Sequence, residues 1–422
     1  MKILWLMNGA TSRAAEKLNM GTVAIVGWAD VLCSMLVNCQ DVDFCGVFPQ
    51  QISKETLCYE SPKESYYAYF ESREPRTSYC YENEKHFREI ISKESPDIVH
   101  IWGTEYSHSL EMVNAFDMPQ STIISIQGLI SVYSNHYYAD LPWNIINRFT
   151  IRDFLKRDNI KIQKSKYQKR GKFEVTAISK VDNVIGRTTW DLACVKTINP
   201  EVRYFYGGEI LRNNFYSEQK WKYENCEKYS LFTSQAYYPI KGLHYLLKAM
   251  IYIMEKYPKT KLYIGGTEPY YDGTFIGKLK TKSYGKYIKK MIKDNKLNNN
   301  VIFLGRMNAE EMREQFLKSN VFVLPSAIEN SPNSLGEAMI LGVPCVASDV
   351  GGVKDMIEDG VEGYTYQHNE PAMLAHYVCE LFGDVSLAKK MGKRASIHAE
   401  KTHGVKECFM DYIEIYRKIL SL

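Results

Sequence analysis

No stretch of this 422-residue chain approaches the roughly eighteen apolar residues that cross a bilayer as a helix, so a helical membrane span is excluded. Residues 1–7, Met-Lys-Ile-Leu-Trp-Leu-Met, are too short for the apolar core of a secretion signal and read as a first β-strand. The ten cysteines include no CxxC pair, and Cys194 and Cys345 fall inside apolar runs. They read as reduced, buried thiols of a cytoplasmic protein rather than a disulfide framework. A net charge of +4 is too mild to argue for a nucleic-acid partner. No G-x-G-x-x-G follows a strand, which removes support for a nicotinamide enzyme. Nor does any His, Asp and Glu cluster have metal-ligand spacing, so neither a metal nor another cofactor is expected.

What is present is a regular alternation. The length favours two domains of about 200 residues each. Short apolar runs at 2–8, 42–48, 97–103, 122–128 and 174–179, then 230–234, 261–265, 301–305, 321–325 and 344–348, read as strands. Helical patterns lie between most of them; residues 243–256, for example, place apolar side chains at 243, 246, 247, 250 and 253. This is the rhythm of an α/β protein with parallel sheets covered on both faces. The polar, aperiodic stretch 216–228 marks the boundary. The expected domains are therefore 1–215 and 229–397, both doubly wound and Rossmann-like. Ligands are expected at the carboxyl ends of their strands, facing a cleft.

The most informative segment is Pro325-Ser-Ala-Ile-Glu-Asn-Ser-Pro-Asn-Ser-Leu-Gly-Glu-Ala-Met-Ile-Leu-Gly-Val-Pro344, which follows the apolar run at 321–324 and leads into a helix ending near Gly342. Glu329 lies in the loop and Glu337 about one turn into the helix, so both can face one ligand. Carboxylates accept hydrogen bonds from sugar or ribose hydroxyls, while amides at a helix start suit an anion such as a diphosphate.

This segment, with Ala347-Ser-Asp-Val-Gly-Gly-Val-Lys-Asp355 and Gly360-Val-Glu-Gly-Tyr364 after it, resembles the E-x7-E signature of retaining GT-B glycosyltransferases. These form the large family 4 (glycosyl transferases group 1), and the likeness is to its bacterial surface-polysaccharide members. The resemblance implies a GT-B fold whose last helix, in 398–422, returns to the N-terminal, acceptor-binding domain. It implies transfer from a nucleotide-diphosphate sugar to a saccharide or lipid-linked saccharide. It further assigns Glu329 to the sugar-ring hydroxyls, Glu337 to the ribose, and the amides of Asn333, Ser334 and Leu335 to sugar and distal phosphate. Family members carry an Arg six residues before a Lys-Gly that binds the diphosphate. Here Lys241-Gly242 matches and Gln235 stands in place of the Arg. A lysine at a helix start opposes the helix dipole, which favours a functional role for Lys241. Arg306 and Met307, in Phe303-Leu-Gly-Arg-Met307, are expected to wall the nucleobase.

On the acceptor side the block Pro96-Asp-Ile-Val-His-Ile-Trp102 is similar to the family's, with His100 read as structural and Trp102 replacing a second His. Gln127-Gly128 stands where many members have His-Gly. Arg187 is a candidate acceptor residue, with an ion pair to Asp191, four residues on, as the competing reading. Asp41-Val-Asp43 has the DxD form of a metal–diphosphate site but lies in the wrong half. The aromatic run 137–155, continuing into the basic run 156–172, suits peripheral contact with an anionic membrane at the cytoplasmic face, or else a solvated loop beside a core helix. A non-catalytic nucleotide-sugar-binding subunit, a phosphorylase and a sugar-nucleotide epimerase are the alternative functions.

Overall fold

The computed structural model describes residues 1–21, 26–72, 77–270 and 275–421. The chain forms two compact units: Met1–Val132, Lys166–Asn213 and Thr402–Leu422 make up the first, and Tyr133–Ser165 with Asn214–Lys401 the second.

The first unit contains β1 (Lys2–Leu6), β2 (Asp43–Gln50), β3 (Leu57–Glu60), β4 (Glu64–Phe70), β5 (Ile98–Trp102), β6 (Thr122–Ser125), β7 (Asn183–Gly186) and β8 (Arg203–Tyr206). They lie in the order β3-β4-β2-β1-β5-β6-β7-β8. Every pairing is parallel except that of the edge strand β3 with β4. The central strand β5, Ile-Val-His-Ile-Trp, is buried along its whole length, as a strand covered on both faces must be. The terminal helix Val405–Leu420 belongs to this unit and anchors in its core. Tyr416 Oη lies 2.7 Å from His100 Nδ1 and accepts from Trp5 Nε1 at 3.1 Å.

In the second unit β9 (Glu227–Thr233), β10 (Lys261–Gly265), β11 (Val301–Gly305), β12 (Ser319–Leu324), β13 (Cys345–Ser348) and β14 (Tyr364–Tyr366) form a wholly parallel sheet ordered β11-β10-β9-β12-β13-β14. Counted within the unit this is 3-2-1-4-5-6, the doubly wound order of dinucleotide-binding folds. The order reverses between β9 and β12, and the crevice beyond the carboxyl ends of those two strands is where such sheets take ligands.

Two expectations need correction. Residues 174–179 are not a strand but the end of the helix Ile160–Ser179. Glu-Val-Thr-Ala-Ile-Ser has β-branched character, yet a long preceding helical register overrides so short a run. Residues 133–165, expected in the first domain, cluster with the second unit. Their anchors explain why: His244 Nε2 lies 2.7 Å from Ala139 O, Tyr245 Oη donates to Asp140 Oδ2 at 2.8 Å, and Ser283 N donates to Asp153 Oδ2 at 3.1 Å.

Candidate donor site at the switch point of the second sheet

The loops after β9 and β12 flank the switch point, and each brings one ionic group. After β9 the chain makes a short 3-10 turn, Pro239–Lys241, and enters the helix Leu243–Lys256 through Gly242 at φ +71°. A Cβ there would stand 1.7 Å from Pro325 O, so only glycine lets this loop approach the loop after β12. Ala327 N donates to Ile240 O at 2.7 Å and fixes the approach. Lys241 Nζ then meets Glu329 Oε1 at 2.6 Å, although 88 residues separate them. Ser326 Oγ donates to the same oxygen at 2.7 Å, so Oε2 is not consumed by either contact.

Glu329 is buried, with 6% of its surface exposed, and its backbone is held as firmly as its carboxylate. Gly352 N donates to Glu329 O, and Gly351, at φ +54°, has no room for a Cβ, which would lie 1.9 Å from that same carbonyl. Ser348 Oγ donates to Ser326 O at 2.6 Å, tying the loop to the end of β13. A carboxylate and an ammonium fixed side by side, one buried and one partly open, offer hydrogen-bond acceptors for hydroxyls beside a cation for phosphate.

The helix Asn333–Ile340 starts directly after this loop, with Pro332 as N-cap and no side-chain cap. Glu337 is buried within it. The Leu335 amide is already committed, donating to Pro332 O at 2.9 Å, so it is not offered to a ligand as expected. Gln235 is exposed just past the end of β9. Gly265, closing β10, sits close enough that a Cβ would meet Ser234 O at 3.0 Å and Met307 Sδ at 3.5 Å. Met307, Ser234 and Gln235 therefore gather around Gly265 and Gly266 at the strand ends, while Arg306 is exposed.

The first-unit candidates are held by different contacts from those expected. The Arg187 guanidinium pairs with Glu209, both nearly buried, and donates to Ile126 O at 2.9 Å. Asp191 instead takes the Arg187 backbone N–H and completes a capping box with Thr188. Gln127 Oε1 lies 3.5 Å from the Arg187 guanidinium, and Gly128 is buried beside it. His100 is structural: its ring bonds Tyr416 and, through Nε2, Ser125 Oγ at 2.7 Å, and burial pushes its pKa down to about 3. Asp43 pairs with Lys63 and Asp41 with Arg417. Among the described residues no group of three or more His, Cys, Asp or Glu is arranged to hold a metal ion.

Sequence reasoning missed a second polar cluster at the first sheet's own switch point, between β1 and β5. Asn8 donates to Glu105 Oε2 at 3.1 Å and faces His108 Nε2 at 2.8 Å, and His108 Nδ1 lies 2.9 Å from Tyr69 Oη. Burial raises the Glu105 pKa. Its signal was the position of Asn8 and Glu105 just past strands β1 and β5. The neighbouring loop is held by Glu174, which accepts from Thr104 Oγ1, Ile130 N and the Ser131 backbone and hydroxyl. Burial outweighs these donors and pushes the Glu174 pKa up to about 7.

Comparison with known proteins agrees with this architecture. Residues 216–398 match the family model described as glycosyl transferases group 1. The uncharacterized glycosyltransferase MJ1607 of Methanocaldococcus jannaschii is 29% identical over 199 residues, 47% of each chain, so this chain spans about half the length of that relative. Sucrose-phosphate synthase from Thermosynechococcus elongatus superposes with a TM-score of 0.71 at 15% identity, covering 100% of this chain and 99% of that one. Anabaena HepE, solved in complex with UDP, gives a TM-score of 0.64 at 15% identity over 99% of this chain and 100% of its own. The chain has the GT-B fold, and its residues 216–398 are similar to the glycosyl transferases group 1 family.

Proposed function

We propose that this protein is a retaining, metal-independent glycosyltransferase of family 4. It transfers a sugar from a nucleotide-diphosphate donor to a hydroxyl of a saccharide or lipid-linked saccharide, in surface-polysaccharide synthesis at the cytoplasmic face of the membrane. The observation that carries the reading is the Lys241–Glu329 pair at the switch point of the second sheet, 2.6 Å apart.

In this reading the donor lies along the carboxyl ends of β9 to β12, with the base near Met307 and Arg306 and the ribose on Glu337. The diphosphate draws Lys241 and the amides of Asn333 and Ser334, which stabilise the charge that develops as the C1–oxygen bond breaks. That supply of positive charge is what a metal provides in other transferases. Glu329 holds the ring hydroxyls and offsets the positive charge growing at C1. The acceptor attacks from the face the leaving group departs, and a departing phosphate oxygen takes the acceptor proton, so configuration is retained. The first unit, through Gln127, Gly128 and the Arg187–Glu209 pair, holds the acceptor.

Gln235 in place of the family's arginine favours one other reading, a subunit that binds nucleotide-sugar without turning it over. Incubation with a panel of nucleotide sugars and saccharide acceptors separates the two. The transferase reading requires nucleoside diphosphate release, unchanged in EDTA, and a product anomer matching the donor's. Loss of activity in EDTA restored by manganese, or an inverted anomer, would refute it. Tight nucleotide binding with no release on any acceptor would establish the subunit instead.

A further inference from the structure

The segment Tyr133–Ser165 belongs to the second unit and carries a run of exposed apolar side chains. It contains two short helices, Trp143–Ile146 and Ile151–Lys156, the second started by a capping box of Thr150 and Asp153. Ile145, Ile146 and Ile160 face inward and are buried, which accounts for the segment's own packing. Trp143, Phe149, Ile151, Phe154 and Leu155 are exposed, Phe154 by 75% and Leu155 by 73%. No other stretch of this length among the described residues exposes so many large apolar side chains, and apolar patches of this kind mark interaction sites.

The charges decide the partner. Arg148, Lys156, Arg157 and Lys161 are all exposed. The only acids between residues 141 and 165 are Asp153 and Asp158, and both are turned inward. Asp153 is fully buried and caps Ser283; Asp158 pairs with Arg152 at 2.7 Å and Lys282 at 3.3 Å. Within 143–161 every outward charge is cationic, and the exposed acid just before it, Asp140, is engaged by Tyr245 and His368. An apolar centre with this charge fits an anionic lipid surface, with aromatic and aliphatic side chains entering the headgroup region. A second copy would bring like charges together across the same face. The expected contact over 137–172 is thereby narrowed. Tyr137 is buried, and Arg170 is buried against Tyr106 and Tyr167 in the first unit.

We infer that residues 143–161 form a preorganised docking surface for anionic bilayers. The surface is bolted to the donor-carrying unit by Asp153–Ser283, Asp158–Lys282 and the contacts of Ala139 and Asp140 with His244 and Tyr245. Lys282 in turn lies over the Tyr237 ring at 4.7 Å, in the loop that leads to Lys241. Docking here would hold the donor site at the membrane without any spanning helix, and none of the described helices is long and apolar enough to cross one.

The test is co-sedimentation of the full chain with vesicles of phosphatidylglycerol and phosphatidylcholine, and with phosphatidylcholine alone. It needs no catalytic activity, so it stands apart from the transferase reading. Wild type should bind the anionic vesicles, and both Phe154→Asp/Leu155→Asp and Lys156→Glu/Arg157→Glu should bind them on the order of tenfold or more weakly. Salt and omission of the anionic lipid should weaken wild type, and thermal melts should show both variants folded. Equal sedimentation of all three proteins, or none by wild type, would overturn the inference. So would a concentration-dependent dimer, measured by light scattering, that Phe154→Asp/Leu155→Asp abolishes, because the face would then belong to a second copy.

Discussion

Glu329 is placed by two close glycine approaches as well as by its own hydrogen bonds. Gly351 has positive φ and no space for a Cβ against Glu329 O, and Gly242 has the same problem against Pro325 O. Gly351→Ala therefore must push the Glu329 backbone away from its place, with a stability cost of about 1–3 kcal/mol and a larger loss of turnover. Thermal melts read the first and steady-state rates the second; a variant with wild-type turnover would show that the loop does not need this approach. The candidacy of Glu329, Glu337 and Lys241 was legible in the sequence because motif and strand context coincide there. The contact of Lys241 with Glu329 was not, since it depends on the close approach of Gly242 to Pro325 O and of Gly351 to Glu329 O. The cluster of Asn8 with Glu105 and His108 carried only the weak signal of residues following β1 and β5, because it forms only once those two strands lie side by side.

At the level of elements, five of the second sheet's six strands were readable because they carry short apolar runs between glycine-rich or polar turns, while β14, Tyr-Thr-Tyr, is too short to show one. Strand β4, Glu-Ser-Tyr-Tyr-Ala-Tyr-Phe, escaped because tyrosines and polar residues gave no apolar run, although six of its residues are buried by packing that the sequence does not display. The helix at 243–256 was legible to the residue, as its apolar face repeats without interruption. The terminal helix Val405–Leu420 shows how a late element completes an early core. Tyr416→Phe keeps the ring and removes the hydroxyl that pairs with both His100 and Trp5. Two buried polar groups lose their partner, so the variant should be less stable by about 1–3 kcal/mol. Urea unfolding measures this, and an unchanged midpoint would mean the hydroxyl is not what holds the helix.

For the whole molecule, two buried histidines make acid destabilising, with Glu174 and Glu105, both raised by burial, acting in the other direction. His100 in the first unit and His244 in the second are both fully buried, and burial lowers each to about 3. The unfolded chain takes up protons near pH 6.5, whereas the folded imidazoles stay neutral. Stability from these two groups is thus complete above about pH 6.5 and falls as pH drops toward 3. Each histidine contributes a slope approaching about 1.4 kcal/mol per pH unit. Glu174, raised to about 7, opposes one of them over the same range, so the histidine share is read as the difference between wild type and His100→Gln in urea unfolding at pH 7 and pH 5.5. Replacing His100 by Gln should flatten the first unit's share; an unchanged slope would place the protons elsewhere.

The assignment of residues 133–165 was the least legible feature at this scale, because which unit a segment joins is settled by contacts such as Asp153 with Ser283, 130 residues apart. The central claim, that Glu329 acts on the sugar while the nucleotide is held by other groups, has one direct measurement. Turnover and nucleoside-diphosphate affinity are determined side by side for wild type and Glu329→Ala, using whichever donor the panel identifies. Turnover should fall by on the order of 100-fold or more while the nucleotide dissociation constant changes by less than about fivefold. Near-wild-type turnover, or a loss of nucleotide binding equal to the loss of rate, would contradict the account.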